Sequence, residues 1–330
     1  MGLLVDGVWQ DRQQDVRDGR FIRPQTRFRN WVTPDGSPGP SGGGGFPAES
    51  GRYHLYVALA CPWAHRTVIF RSLKQLEDAI SMSVVEPIPG NEGWQFGTEP
   101  PGATLDTVNG KSKLADIYRL ADPRFTGRVT VPVLWDKKRR TIVNNESAEI
   151  IRMLNYAFNT FTPAKTDYYP QDFRDTIDLI NTVVYENVNN GVYRAGFAST
   201  QEAYEEACRD VFRELDALET RLSRQRYLAG DRITEADWRL FTTLIRFDAV
   251  YYSHFKCNLR RILDYPNLAN YLRDLYQMPR VAETVSMEHI KRHYYGSHRH
   301  INPLGIVPLG PALDFMIPHD RGRFEKRLSV

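Results

Sequence analysis

Cys61 is followed at once by Pro62, and the pair sits where a short apolar and aromatic run gives way to a helical pattern. Proline is well tolerated in the first turn of a helix. A sulfur placed there faces backbone N–H groups that have no partner inside the helix, and the positive end of the helix dipole. Both favour thiolate over thiol. Such settings lower a cysteine pKa from about 8.5 to between roughly 3.5 and 7.5. His65 and Arg66, in the same turn, can add positive potential. Against a reactive thiol stand two other readings of Cys61: a small buried hydrophobe, or a zinc ligand, for which convincing further partners are lacking nearby.

Two more motifs suit binding. Val131-Pro132 lies within Val129–Trp135, a strand-like run whose proline removes a ladder donor and so requires an edge, a bulge or a special turn. Glu146-Ser147 opens a helical pattern. The N–H groups and hydroxyl there can hold a carboxylate while Glu146 receives an ammonium. A plain helix cap accounts for the same residues. Thr234 and Asp237 have capping-box spacing, which is structural.

The elements around these motifs follow in order. Tyr53–Leu59 is an aromatic, branched strand. Trp63–Leu76 reads as a helix with Trp63, Val68, Ile69, Leu73 and Leu76 as candidate buried positions. Ile80–Val85 is a strand. Residues 86–127 form a long insertion with one helical stretch near Lys113–Leu120, and Thr141–Val143 is the fourth strand. The order βαβ…ββα is that of a thioredoxin-like domain, in which the bond before the strand proline is cis and the backbone ahead of it is exposed to a peptide-like ligand. Beyond a linker at 158–170 the pattern is almost wholly helical, with helices expected at 172–188, 200–223, 235–252, 267–277 and near 279–294.

The organisation expected is an N-terminal extension with a Gly-rich loop (1–50), a thioredoxin-like domain (51–158), an all-helical domain (171–300) and a tail (301–330). Ser37–Ser41 and the four glycines after it read as an ordered loop over a pocket or as plain linker. No Lys-Ser/Thr comes after them, which weakens a phosphate-binding reading.

Bulk properties narrow the class. The chain has 330 residues and a formal net charge of +3, so no overall field recruits nucleic acid or membrane. The basic run Lys137–Arg140 separates two β-like runs and reads as a solvated hairpin turn. Three cysteines (Cys61, Cys208, Cys257) argue against a disulfide framework and for a reducing compartment. The N-terminus lacks a basic region followed by a long apolar one, and no apolar stretch is long enough to span a bilayer. A cytoplasmic location is expected.

Cys-Pro-Trp-Ala-His-Arg (61–66), Val-Pro (131–132), Glu-Ser (146–147) and Gly-Asp-Arg-Ile-Thr-Glu-Ala-Asp (230–237) together resemble the glutathione-transferase superfamily. Phe28–Trp31, Asn144–Ser147, Asn189–Tyr193 and Arg246–Asp248 look like its Xi class, the glutathionyl-hydroquinone reductases. The resemblance covers nearly the whole chain. It implies a thioredoxin-like domain followed by an all-α domain, a homodimer, and reduction of a glutathione–hydroquinone thioether by a second glutathione. It implies Cys61 as nucleophile and Trp94, Arg128, Val129, Thr130, Val131, Glu146 and Ser147 as glutathione contacts. Tyr193 would be the proton donor, with Tyr251 and Tyr294 beside Cys61. Asn-Gly-Val-Tyr (190–193) reads as a turn that presents Tyr193. Glutathione is the implied co-substrate, with no metal and no flavin. Ala64 occupies the second position of a Cys-x-x-Cys pair, which favours a monothiol cycle on external glutathione. The rivals are an omega-like thiol transferase or dehydroascorbate reductase, a non-catalytic binding module on the same fold, and a conjugating transferase.

Overall fold

A computed structural model describes residues 2–11 and 15–324. In chain order the strands are β1 (Leu3–Val5), β2 (Val8–Gln10), β3 (Val16–Arg17), β4 (Arg20–Phe21), β5 (Tyr53–Val57), β6 (Ile80–Val84), β7 (Gly127–Arg128), β8 (Val133–Asp136) and β9 (Thr141–Asn144). The α-helices are α1 (Pro62–Leu73), α2 (Leu114–Ala121), α3 (Ser147–Tyr156), α4 (Arg174–Val184), α5 (Gly191–Gly196), α6 (Gln201–Leu222), α7 (Glu235–Arg246), α8 (Pro266–Tyr276) and α9 (Met287–Ser297). The described residues divide into two compact units, 2–11 and 15 with 23–166 and 283–307, and 16–22 with 167–282 and 308–324.

The first unit is built on a four-stranded sheet of order β6-β5-β8-β9. All five residues of β5 are buried, which is why Tyr53–Val57 reads as a continuous apolar run and not as an alternating one. β6 runs parallel to β5, and β8 antiparallel. α1 and α3 pack together beside it. Asp136, fully buried at the end of β8, receives Arg52 Nε at 3.0 Å and the backbone N–H groups of Lys138 and Arg139. It thereby closes the basic hairpin expected at 137–140. Val129–Trp135 is not one strand: β7 pairs with β1, residues 129–132 leave the ladder, and β8 begins only after Pro132. The missing N–H of proline makes that break the natural start of β8.

The Gly-rich segment is an ordered loop. Trp31 Nε1 donates to Ser41 Oγ at 2.9 Å, and Ser41 Oγ donates to Arg29 O at 2.8 Å. Gly39 lies so close to the Trp31 ring that a Cβ there would fall 2.3 Å from Cγ. Arg29 in turn pairs with Glu149 of α3.

Packing departs from chain order: residues 16–22 cluster with the second unit, and a later segment clusters with the first. Residues 283–307, expected at the end of the 171–300 helical domain and the start of the tail, cluster with the first unit. The reason is polar as well as apolar: His65 Nε2 lies 2.8 Å from Thr284 Oγ1, and His293 Nδ1 lies 2.7 Å from Pro87 O.

The second unit is helical. Its strongest local signal, the capping box at Thr234, forms as expected. Asp237 is fully buried and accepts from Leu228 N, Thr234 N, Thr234 Oγ1 and Tyr271 Oη, all within 3.1 Å. The C-terminal segment does more than wrap the surface. Arg321, fully buried, donates to the carbonyls of Leu222, Gln225 and Arg226 and so completes the end of α6. No described helix is long and apolar enough to cross a membrane.

His54 gives a pH test of this packing. Its imidazole is fully buried between Ser81 Oγ (2.7 Å) and Ser83 Oγ (3.0 Å), and burial pushes its pKa down to about 4 from 6.5. The unfolded chain therefore binds the extra proton between those values. The contribution of neutral His54 is full above pH 6.5 and is lost as pH falls towards 4. Urea unfolding should show wild type losing roughly 3 kcal/mol more than His54→Gln between pH 7 and pH 4. Parallel pH profiles would contradict this reading.

Candidate active site

After β5 the chain turns, with Cys61 N donating to Ala58 O at 3.0 Å. Cys61 is the N-cap of α1: its backbone is extended (φ −80°, ψ 123°), its carbonyl accepts from His65 N at 2.9 Å, and Pro62 takes the first helical position. Its side chain makes no capping hydrogen bond, and Sγ lies 3.8 Å from Val131 O. The sulfur thus sits at the positive end of a twelve-residue helix, half-buried. Cys208 and Cys257 contrast with it. Both are buried, and burial pushes both thiols up. His65, in the same turn, is fully buried with Nε2 2.8 Å from Thr284 Oγ1. Arg66 is also buried, with its guanidinium 4.6 Å from the Trp63 ring and its Nη1 3.4 Å from Ser147 Oγ.

The Val131–Pro132 bond is cis, and Val131 faces Cys61 through its carbonyl. One buried tyrosine holds this stretch in place. Tyr118 Oη on α2 donates to Thr130 O at 2.8 Å and accepts from Thr130 N at 3.2 Å and from Asn145 Nδ2 at 3.1 Å. Tyr118 therefore couples the segment Arg128–Val131 to the start of α3. Glu146 is the N-cap of α3, accepting from Ala148 N at 3.2 Å and from Thr26 Oγ1 at 3.3 Å. Ser147 comes next, buried, beside Arg66. Arg128 carries an ion pair to Asp15 at 3.0 Å, and Val129 is buried.

Trp94 and Tyr294 also belong to the first unit. The Trp94 indole stacks on His293 of α9 (centroids 4.8 Å apart, 26° between planes), and His293 meets the next residue, Tyr294, edge-on at 5.3 Å. Tyr294 is almost fully buried.

Tyr193 and Tyr251 belong to the second unit, where the structure brings them together with ring centroids 6.0 Å apart. Asn190–Tyr193 is not the turn expected from Asn-Gly. Tyr193 lies inside α5, which continues from a π-helical turn at Tyr185–Asn189. The backbone stays helical because Asn190 N bonds to Tyr185 O, so the glycine never needs a positive φ. Tyr251 closes a second π-helical turn, Phe247–Tyr251, that extends α7. Phe255 lines this pair, stacked on Tyr251 (5.5 Å, 18°) and edge-on to Tyr193 (5.5 Å, 64°). It packs so tightly on Gly196 that a Cβ there would fall 2.2 Å from its ring.

Sequence reasoning missed Tyr118, His293 and Phe255, and took Asn145 only as part of the Asn144–Ser147 motif. Their residue types match those of ordinary core positions, and only their hydrogen bonds and ring contacts reveal their work. No group of three His, Cys, Asp or Glu able to hold a metal occurs among the described residues.

Residues 60–157 match the pattern of the glutathione S-transferase N-terminal domain, and residues 201–274 that of the C-terminal domain. Glutathionyl-hydroquinone reductase YqjG of Escherichia coli (strain K12) is 56% identical over 323 residues, covering 97% of this chain and 98% of that protein. Its glutathione-bound structure superimposes with a TM-score of 0.91, covering 97% of this chain and 99% of that one. Glutathionyl-hydroquinone reductase PcpF of Sphingobium chlorophenolicum is 53% identical, covering 94% and 97%. A Xi class transferase from Natrialba magadii superimposes with a TM-score of 0.92 at 51% identity, covering 98% of each chain. The chain belongs to the glutathione-transferase superfamily, in its Xi class.

The contrast between the three thiols gives a direct prediction. Limited iodoacetamide treatment of the folded protein near neutral pH should label Cys61 and leave Cys208 and Cys257 unmodified, as read by peptide mass spectrometry. Labelling of Cys208 or Cys257 at a rate equal to that of Cys61 would contradict it.

Proposed function

We propose that this protein is a glutathionyl-hydroquinone reductase. It removes glutathione from a hydroquinone ring and passes through a disulfide between Cys61 and glutathione. The observation that carries the reading is the placing of Cys61 as N-cap of α1 with Sγ against the Val131 carbonyl. A thiolate there is stabilised by the positive end of the helix dipole.

The glutathione site is built from two arms that Tyr118 joins. The α3 N-terminus receives the carboxylate of the γ-glutamyl end on its N–H groups and the Ser147 hydroxyl, and Glu146 takes the ammonium. The Val131 backbone aligns the cysteinyl part, which directs the glutathionyl sulfur to Cys61. Trp94, Arg128, Val129 and Thr130 complete the site. The relatives' names and the glutathione-bound structure of YqjG support this reading.

The chemistry then balances. Cys61 thiolate attacks the thioether sulfur, an S–S bond forms and the C–S bond breaks. Its electron pair passes to the ring carbon, a poor carbanion that needs a proton as the bond opens. Tyr193 donates that proton, and Tyr251 and Tyr294 are assigned to Cys61, where they help to lower its pKa. The ring carbon is reduced and the two sulfurs are oxidised to a mixed disulfide. A second glutathione thiolate opens this disulfide, leaving as oxidised glutathione and freeing Cys61. The proton lost by that glutathione restores Tyr193. These steps require neither metal nor flavin. A homodimer working in the cytoplasm completes the proposal.

Two kinetic comparisons test it. Glutathione-dependent reduction of glutathionyl-menadiol should vanish in Cys61→Ser and fall by about 10²-fold or more in Tyr193→Phe. Reduction of a simple mixed disulfide, whose thiolate leaving group needs no carbon protonation, should survive in Tyr193→Phe. Equal activity of Tyr193→Phe on both substrates would favour an omega-like thiol transferase instead. Tyr118→Phe removes the bond that joins the two arms, worth about 1 kcal/mol. KM for glutathione should then rise about fivefold with kcat little changed. An unchanged KM in a folded variant would contradict the part assigned to Tyr118.

A further inference from the structure

The two tyrosines of the second unit stand on different helices, and each comes after or closes a π-helical turn. Asn190 N bonds to Tyr185 O at 2.8 Å, and Tyr252 N to Phe247 O at 2.9 Å. Each such turn adds a residue to the helical spiral and rotates the residues beyond it by about 100°. The aim of both rings thus depends on how the two turns are held.

A buried side chain links the two helices near this level. Asn189 is the last residue of the first π turn and is buried. Its Nδ2 donates to Arg239 O at 3.1 Å and to Thr243 Oγ1 at 2.7 Å. Those two contacts use both N–H bonds of the amide. Arg239 lies in the middle of α7 and Thr243 on its last turn, which leads into the π turn that ends in Tyr251. Tyr193 stands four residues after Asn189, which places anchor and ring on one helix face. Asn181 makes a parallel link lower down, from its Nδ2 to Glu235 Oε1 at 2.9 Å. That link lies at the far end of α7, and the link at Asn189 is the nearer of the two to the π turns.

We infer that Asn189 is a positioning residue for proton delivery: its amide locks the helix that carries Tyr193 to the helix that carries Tyr251 and so fixes the separation of the two rings. The inference rests on the proposed use of Tyr193 as proton donor. Asn189 touches no reacting atom. It acts on the step that needs a carbon protonated and not on thiol–disulfide exchange at Cys61.

The test compares wild type, Asn189→Ala, Thr243→Val and Tyr193→Phe on glutathionyl-menadiol and on a mixed disulfide, with thermal unfolding of each variant recorded alongside. Asn189→Ala should lower kcat for the thioether on the order of tenfold, the scale of a small misplacement of a reacting group. Its KM for glutathione and its disulfide reduction should stay within about twofold of wild type, inside what a small misplacement costs. Thr243→Val, close to isosteric and lacking the acceptor, should show the same split at smaller size, and it carries the test if Asn189→Ala does not fold. Thioether and disulfide activities falling in parallel would mean a purely structural role and overturn the inference. So would thioether kcat unchanged in folded variants while Tyr193→Phe loses it. Full thioether activity in Tyr193→Phe would instead remove the proton-donor reading, a separate result that takes this inference with it.

Discussion

The first turn of α1 has backbone N–H groups that no carbonyl of the helix can reach, and one sulfur stands at that positive end of the helix. The rest of the first unit is arranged so that this is possible. β5 is buried on both faces and ends at Val57, and Cys61 N is tied back to Ala58 O, so the chain enters α1 at a fixed angle. Pro62 fits the first helical position because it has no N–H to satisfy there. A cysteine is thus kept half-accessible in a domain whose neighbouring strand residues are fully buried. The other two cysteines show the default, with burial pushing the thiol pKa up.

A nucleophile in place still needs its substrate aligned, and here the support is polar and buried. Tyr118, Thr130 and Asn145 form a connected set in which a single hydroxyl satisfies three partners. Buried polar groups of this kind rigidify a site only when each is satisfied. The set fixes the spacing between the Val131 carbonyl and the start of α3. The Arg29–Glu149 pair and the ordered Gly-rich loop buttress the same helix from the N-terminal side. In the second unit, aromatic stacking does comparable work: Phe255 packs flat on Tyr251 and onto the backbone at Gly196.

Much of this was legible in the residues themselves. The β-run before Cys61, the proline after it, the Val-Pro dipeptide and the Glu-Ser helix start are local signals, and the structure forms each of them. The capping box at Thr234 was legible for the same reason. Features that depend on partners distant in sequence were not. Nothing in Asn190-Gly191 distinguishes a turn from a helix that continues through a π turn, because the deciding bond is Asn190 N to Tyr185 O. The pattern at 287–297 shows a helix but not that its His293 stacks on Trp94, 199 positions earlier in the chain. Arg321 looked like part of a charged tail, yet its guanidinium ends α6. The roles of Tyr193, Tyr251 and Tyr294 came from family resemblance alone, since a tyrosine's type does not separate a proton donor from a core residue.

The proposed cycle passes through a covalent intermediate at one atom, Cys61 Sγ. The most direct measurement is intact-protein and peptide mass spectrometry after mixing the enzyme with glutathionyl-menadiol in the absence of free glutathione. A single glutathione on Cys61, with menadiol released in equal amount, is the predicted result. No adduct from the thioether, while oxidised glutathione still labels Cys61, would contradict it and leave a general thiol transferase.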